Sequence, residues 1–232
     1  LFGKKVYEVD ASGRLLQEKQ VIPAVAGEDV FTSLDLSSQK VAYDELNNRR
    51  GAVVAVDIND GSIVTYVSSP SFSVNKIANG LTQNEFDELI KDEDKPFFDR
   101  AAQGRYSPAS TIKPAIGLFG IDKDILDWEY TIQDPGFFIL PEDGRIYRGW
   151  KKGGHGEINL KDAIIESSNT FFFSLAYQTE IEELRAHLSN FGFGKNVCDD
   201  CFMPDNGLLP SPRWKMNTHN FGWFKGDTVN MG

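Results

Sequence analysis

Apolar and polar positions divide the chain into a β-rich opening and a longer mixed stretch. Val6, Tyr7 and Val9, then Leu15 and Leu16, flank Asp10-Ala11-Ser12-Gly13, which predicts a short hairpin over Lys5 to Ile22. Pro23 to Glu28 is a connector, and a domain boundary is placed near Gly27. Val30 to Leu36 predicts a strand. From Asp35 to Leu46 the spacing turns helical, with Leu36, Val41 and Leu46 as apolar contacts. The strongest strand signal is Gly51 to Val67, where Ala52-Val53-Val54-Ala55-Val56 and Ile63 to Val67 flank Asn59-Asp60-Gly61. Glycine accepts the positive φ such a turn demands. The near-continuous apolar run predicts a sheet covered on at least one face by helices.

Thr82 to Asp92 predicts an acidic surface helix with Phe86, Leu89 and Ile90 as its buried stripe. Gln133 to Gly154, rich in Gly, Pro and aromatics, predicts loop with short strands, long enough to carry function. Ile158 to Tyr177 reads as helical, burying Leu160, Ala163, Ile164, Phe171, Phe172 and Leu175. A polar run, Glu166-Ser167-Ser168-Asn169-Thr170, interrupts it. Ile181 to Phe191 is a further helix ended by Gly192. After Gly194 an irregular tail is expected, with Trp214 and Trp223 in aromatic-rich loop.

At 232 residues and 41% apolar, the chain can bury a substantial core in one large domain or one and a half smaller ones. No run approaches the ~20 apolar residues of a membrane helix, and no signal-peptide pattern opens the chain. It begins without Met, as if in mid-strand, and so reads as a piece of something longer. A net charge of -10 without a basic stripe excludes nucleic acid as an expected partner.

The candidate chemistry begins at Ser110-Thr111-Ile112-Lys113, a Ser-x-x-Lys stretch with an apolar run behind it. On a helix these two residues share a face, and Pro108 suits the helix entry. A serine so placed has a lysine amine within reach, the positive end of a helix dipole and free N–H groups for an oxyanion. A solvated helix start is the alternative. In the later polar break, Ser167 could relay a proton and Asn169 could hold a carbonyl; a helix cap explains the same residues. Cys198-Asp199-Asp200-Cys201 has the spacing of a redox pair or zinc half-site, but no second pair accompanies it. A local disulfide or two loop thiols are the readings left.

Ser-x-x-Lys with a following Ser-x-Asn element is the signature of serine β-lactamases and penicillin-binding proteins. The likeness extends through Tyr7 to Asp10, Thr32 to Leu36, Ala52 to Asp57, Arg100 to Pro114, Asp134-Pro135-Gly136, Trp150 to Gly156, Glu166 to Phe173, Phe191 to Gly194 and Gly226 to Val229. On these stretches, in family order over nearly the whole chain, the sequence resembles the transpeptidase region of class B penicillin-binding proteins of the elongation type. The resemblance implies an α+β, β-lactamase/transpeptidase-like fold: an antiparallel sheet flanked by helices, with the nucleophile at the start of a central helix. Residues 1–27 would end an N-terminal pedestal domain and linker, and 28–232 would be the transpeptidase domain. Ser110 would be the acyl-enzyme nucleophile and Lys113 its general base. Ser167 would shuttle the proton, Asn169 would contact substrate and lysine, and the Ser110 N–H would form half of the oxyanion hole.

The family's Lys-Thr-Gly strand is not found, so the C-terminal part of the fold is expected to be missing and the fragment weakly active or inactive. Ala109 stands where the family usually has Gly, and Asn169 where many relatives have Asp. Some relatives hold zinc with two Asp, one His and one Cys; the matching positions here are Asp134, Gly149, His155 and Ser168. With two ligands absent, neither metal nor cofactor is expected, and His155 is read as a hydrogen-bonding loop residue. His187 and His219 are read as surface positions. The implied activity is peptidoglycan D,D-transpeptidation during cell elongation. Its expected partners are stem peptides, β-lactams and a membrane glycosyltransferase, at the periplasmic face of an inner membrane with a single-pass anchor. A serine β-lactamase and a non-catalytic elongation-complex scaffold are the competing readings. The hairpin before Val30 and the long aromatic loop favour the transpeptidase over the β-lactamase.

Overall fold

The computed structural model describes residues 2–201 and 203–232. The chain divides into two compact units, one of Leu1–Asn47 and Val53–Val67, the other of Asn48–Ala52 and Ser68–Gly232. In the first, β1 (Lys4–Val9) and β2 (Leu15–Ile22) form the expected antiparallel hairpin. The Asp10 carboxylate fixes its turn by accepting the N–H groups of Ser12 and Arg14 at 2.8 and 2.9 Å. The strand expected over Val30 to Leu36 does not form. Val30 and Phe31 are 84% and 94% exposed, and the segment is tied down only at its end. There Ser33 Oγ donates to the Ile63 carbonyl at 2.6 Å and Asp35 N–H to that of Val64 at 2.9 Å.

α1 (Leu36–Leu46) starts at Asp35, whose side chain caps Ser38 N–H at 2.7 Å. β3 (Gly51–Val56) and β4 (Ile63–Ser69) pair with each other. Leu36 and Val41 are exposed, so α1 is not held by the expected apolar stripe. Gln39 does that work. Its amide donates to the Tyr66 carbonyl at 3.0 Å and accepts the Tyr66 N–H, satisfying both groups of one β4 edge residue. Along β4 burial alternates, with Thr65, Val67 and Ser69 covered, while Val54 and Val56 of β3 are half exposed. This hairpin therefore buries one face.

The second unit opens with α2 (Val74–Asn79) and α3 (Gln83–Lys91). A reciprocal capping box between Thr82 and Glu85 starts α3. Phe86 leans on Phe97 with ring centroids 6.1 Å apart and stays half exposed. A 3-10 turn (Ala109–Ile112) runs into α4 (Lys113–Asp122). β5 (Thr131–Asp134), β6 (Phe137–Ile139), β7 (Ile146–Arg148) and β8 (Gly156–Asn159) follow; β5 pairs with β8 and β6 with β7, both antiparallel. The chain then forms α5 (Leu160–Ile165), α6 (Asn169–Tyr177), α7 (Ile181–Asn190), α8 (Pro212–His219) and α9 (Lys225–Met231).

The core packs Ile116 and Phe119 of α4 against Phe171, Phe172 and Leu175 of α6, Leu184 and Leu188 of α7, and Leu160 and Ala163 of α5. Each large side chain so buried contributes about 1.5–3 kcal/mol. Gly120 lets α4 come close to α6: a Cβ there would lie 2.9 Å from Leu175 Cδ1. A second cluster, Leu140, Tyr147 and Val229, joins the β6–β7 pair to α9.

Three further expectations are corrected. Ile164 is 37% exposed and lies outside the buried face of α5. The tail is helical, and Trp214 lies in α8. Ser211 caps that helix by accepting Trp214 N–H at 2.9 Å, with Pro212 at its first position. α9 is short and lacks an apolar repeat, so packing on α6 decides it. His187 is largely buried: its side chain is 13% exposed, and Nε2 donates to the Ala115 carbonyl at 3.0 Å. Among the described residues no helix is long and apolar enough to cross a membrane.

Candidate active site

Ser110 enters the site from the 3-10 turn. Residues three apart eclipse in such a turn, so Ser110 and Lys113 share a face more directly than on an α-helix. Ala109 just before has φ +48°, the left-handed region where glycine is at ease and an L side chain is strained. The sharp bend leaves Ser110 exposed, with first-turn N–H groups that have no intrahelical acceptor. Lys113 behind it is only 5% exposed.

The lysine's hydrogen bonds run to the polar break between α5 and α6, not to Ser110. Nζ donates to the Ser167 carbonyl at 2.9 Å, to Asn169 Oδ1 at 2.7 Å and to Ser167 Oγ at 3.2 Å. Ser167 Oγ in turn donates to Ser110 Oγ at 2.8 Å. Ser167 thus stands between serine and lysine. It does so from a left-handed backbone, φ +54°, which turns its carbonyl and hydroxyl toward the same amine. The break is also a helix cap, but the capping residue is Ser168, whose Oγ accepts Phe171 N–H at 3.2 Å. That frees Ser167 and Asn169 to face Lys113 and Ser110. All four residues singled out in the sequence come together.

Burial lowers the Lys113 amine to about 8. The Phe172 ring lies 5.4 Å from Nζ and favours the cation, opposing the burial. A neutral amine keeps two N–H donors, matching the two carbonyl-type acceptors, and gains one lone pair; the Ser167 hydroxyl then turns from Ser110 to donate to Nζ, and Ser110 Oγ–H donates to Ser167. The arrangement can therefore pass a proton from Ser110 through Ser167 to Lys113.

Behind this cluster lies a second one, made of three of the positions that match the relatives' zinc ligands. The Asp134 carboxylate, 2% exposed, accepts Gly136 N–H at 2.7 Å, Ser168 Oγ–H at 2.8 Å and His155 Nδ1 at 2.6 Å. Burial pushes this carboxyl up, but the bonds from His155, Ser168 and Gly136 outweigh it and hold the group below the usual range. The carboxylate is ionised, so Nδ1 is the protonated nitrogen of His155; Nε2 is buried without a partner. The donor set does not fit zinc. Gly149 brings no side chain, Ser168 offers a hydroxyl instead of a thiolate, and Asp134 and His155 bond directly to each other. Trp150 joins this region, donating from Nε1 to the Glu166 carbonyl at 3.1 Å. The resemblance grouped Asp134, His155 and Ser168 as positions of a lost ligand set, but did not give the direct hydrogen bonds among them.

Cys198 and Cys201 are joined by a disulfide. Their loop reaches the approach to Ser110 through Asp205, which receives Arg105 in a two-pronged bond, 2.8 Å each, and donates its N–H to the Ala102 carbonyl.

Residues 51–232 match the penicillin binding protein transpeptidase domain. The chain is 40% identical to the peptidoglycan D,D-transpeptidase MrdA of Acinetobacter baumannii over 99% of its own length and 34% of that protein's. It spans 45% of the Pseudomonas aeruginosa PBP2 chain solved with WCK 5153, at 36% identity, with TM-score 0.85 and 89% of this chain covered. The Helicobacter pylori PBP2 solved in complex with MreC superposes on 99% of this chain and 42% of that one, at 30% identity, with TM-score 0.83. The chain thus spans about a third of the length of the curated relatives it matches.

Proposed function

The chain belongs to the penicillin-binding protein transpeptidase family, with the transpeptidase/β-lactamase-like α+β fold, and from that premise we propose that the protein containing it is a peptidoglycan D,D-transpeptidase of the elongation type. The observation that carries the reading is the continuous contact from Ser110 Oγ through Ser167 Oγ to Lys113 Nζ, with Asn169 on the same amine.

Ser110 Oγ attacks the carbonyl of the penultimate D-alanine of a stem peptide. Its proton passes to Ser167 as the Ser167 proton passes to neutral Lys113, whose lowered proton affinity suits a base near neutral pH. The Ser110 N–H supports the oxyanion. The tetrahedral intermediate expels the terminal D-alanine, whose nitrogen recovers the proton by the reverse path, leaving an ester on Ser110. The amine of a second stem peptide attacks that ester. Its proton enters the same relay, Ser110 Oγ leaves and is reprotonated, and the cross-link is made. Asn169 holds Lys113 and faces the substrate backbone.

The same reading gives residues 1–27 to the end of a pedestal and 28–232 to the catalytic domain. It places that domain in the periplasm, anchored by a single span, with a membrane glycosyltransferase and a MreC-like protein as partners. The MreC complex of the Helicobacter pylori relative supports the last of these. The test is intact mass of the whole protein after incubation with penicillin. A Ser110 adduct that persists for hours, absent in Ser110→Ala, supports the reading. Clearance within seconds indicates a β-lactamase. Normal growth and cell shape with Ser110→Ala indicate a scaffold.

A further inference from the structure

We propose that Asp134 is a positioning residue for this site: its buried carboxylate, gripping Ser168 and His155, locks the turn that presents Ser167 and Asn169 to Ser110 and Lys113. The inference rests on the transpeptidase reading but concerns residues that reading gives no part.

Asp134 closes β5, and its own backbone is fixed. Its N–H and carbonyl lie opposite Gly156 in the β5–β8 pair, and the carbonyl also accepts His155 N–H at 3.1 Å. The loop from Lys151 folds onto it so tightly that a Cβ on Gly154 would lie 2.0 Å from the Asp134 carbonyl oxygen. Only glycine fits that approach, and φ +72° at Gly154 asks for glycine as well. A carboxylate mounted on such a frame has little freedom to move.

Ser168 carries this rigidity to the site. It is fully buried, and its hydroxyl has one proton. Giving that proton to Asp134 at 2.8 Å leaves the lone pairs for Phe171 N–H at 3.2 Å, so one oxygen joins the carboxylate to the start of α6. Ser168 N–H, meanwhile, donates to the Ala163 carbonyl of α5 at 2.9 Å. Ser168 is thus pinned on three sides, and the residues flanking it are Ser167 and Asn169.

Ser167 needs such a pin. A non-glycine residue at φ +54° is strained by about 1–2 kcal/mol and relaxes when its surroundings permit. Relaxation would swing both its carbonyl and its hydroxyl away from Lys113. Proton transfer falls steeply with such displacement, by about a hundredfold for ~1 Å. The Asp134 carboxylate bonds Gly136, His155 and Ser168, so it acts on Ser110 and Lys113 through Ser168. The lock is made of hydrogen bonds alone, since Gly149 and Ser168 leave the donor set unfit for zinc.

The experiment separates binding from chemistry in the intact protein. The acylation rate by a fluorescent penicillin is followed over penicillin concentration, giving a dissociation constant for the first complex and a rate constant for the chemical step. Asp134→Asn and Ser168→Ala are each expected to slow the chemical step by roughly 10–100-fold while the dissociation constant changes less than about threefold. Ser168→Thr, which keeps the hydroxyl, is expected to recover most of the Ser168→Ala loss. Prior treatment with a chelator leaves the wild-type step unchanged. If Asp134→Asn does not fold, Ser168→Ala and Ser168→Thr decide the matter. A chemical step unchanged in Ser168→Ala, a loss confined to the dissociation constant, or a loss on chelation overturns the lock. Wild-type protein that is never acylated at Ser110 overturns the transpeptidase reading, and the lock with it.

Discussion

Replacing Ser167 by Ala tests whether the proton leaves Ser110 through Ser167 or goes straight to Lys113. The substitution removes one oxygen that lies 2.8 Å from Ser110 Oγ and 3.2 Å from Lys113 Nζ. It leaves the Ser167 carbonyl, which holds Nζ at 2.9 Å, and Asn169 Oδ1 at 2.7 Å. Lys113 therefore stays in place and keeps its burial. Alanine is as strained as serine at φ +54°, and the side chain is only partly covered, so the stability change should stay within about 1 kcal/mol. Positioned proton transfer is worth about 10²–10⁴-fold. That corresponds to about 2.7–5.4 kcal/mol of the barrier at 1.36 kcal/mol per tenfold. Stopped-flow acylation of the intact protein by a chromogenic β-lactam should show the chemical step reduced by that factor, with the dissociation constant nearly unchanged. A chemical step within about threefold of wild type would refute the relay and require direct transfer to Lys113.

Further outcomes follow from the same geometry. With Lys113 lowered to about 8, the acylation rate of wild type should rise with pH, pass its half-maximum near 8 and level off above it, and Lys113→Met should abolish the rise. Because that amine is lowered from 10.5, the folded state sheds its proton first, so the Lys113 contribution to unfolding free energy rises between pH about 8 and 10.5; urea midpoints of wild type and Lys113→Met should converge across that window. Ala109→Gly relieves the left-handed strain at φ +48° and should raise stability by about 0.5–1 kcal/mol in thermal unfolding. Phe119→Ala, fully buried between α4 and α7, should cost about 3–5 kcal/mol. Reducing the disulfide, whose cysteines are three residues apart, should cost no more than about 2 kcal/mol and leave acylation intact.

The legible parts of the fold were those in which local chemistry decided. The Asp10 and Asp60-Gly61 turns, the helix from Thr82 and the polar break after α5 are read from neighbours in sequence, and the structure keeps them. Apolar stretches without a fixed period were read less well. Val30 to Leu36 has β-favouring residues but touches β4 only at its end and forms no strand, and α9 has no repeat but a partner in α6. Propensity gave way to packing in both places.

The candidate site divides in the same way. Ser110, Lys113, Ser167 and Asn169 carry residue types and short spacings that only a few chemistries need, so the sequence determined which residues to examine and which family they belong to. It did not determine how the proton travels. Ser110 and Lys113 are neighbours along one turn, yet the amine bonds to Ser167 and Asn169, because the left-handed turn at Ser167 brings an oxygen between them. Nor did it determine that Asp134 bonds both His155 and Ser168 directly, although the resemblance had grouped the three. Hydrogen bonds depend on distance and direction to within tenths of an ångström, and for residues distant in sequence those are set only when β5, the Lys151 loop and α6 have packed.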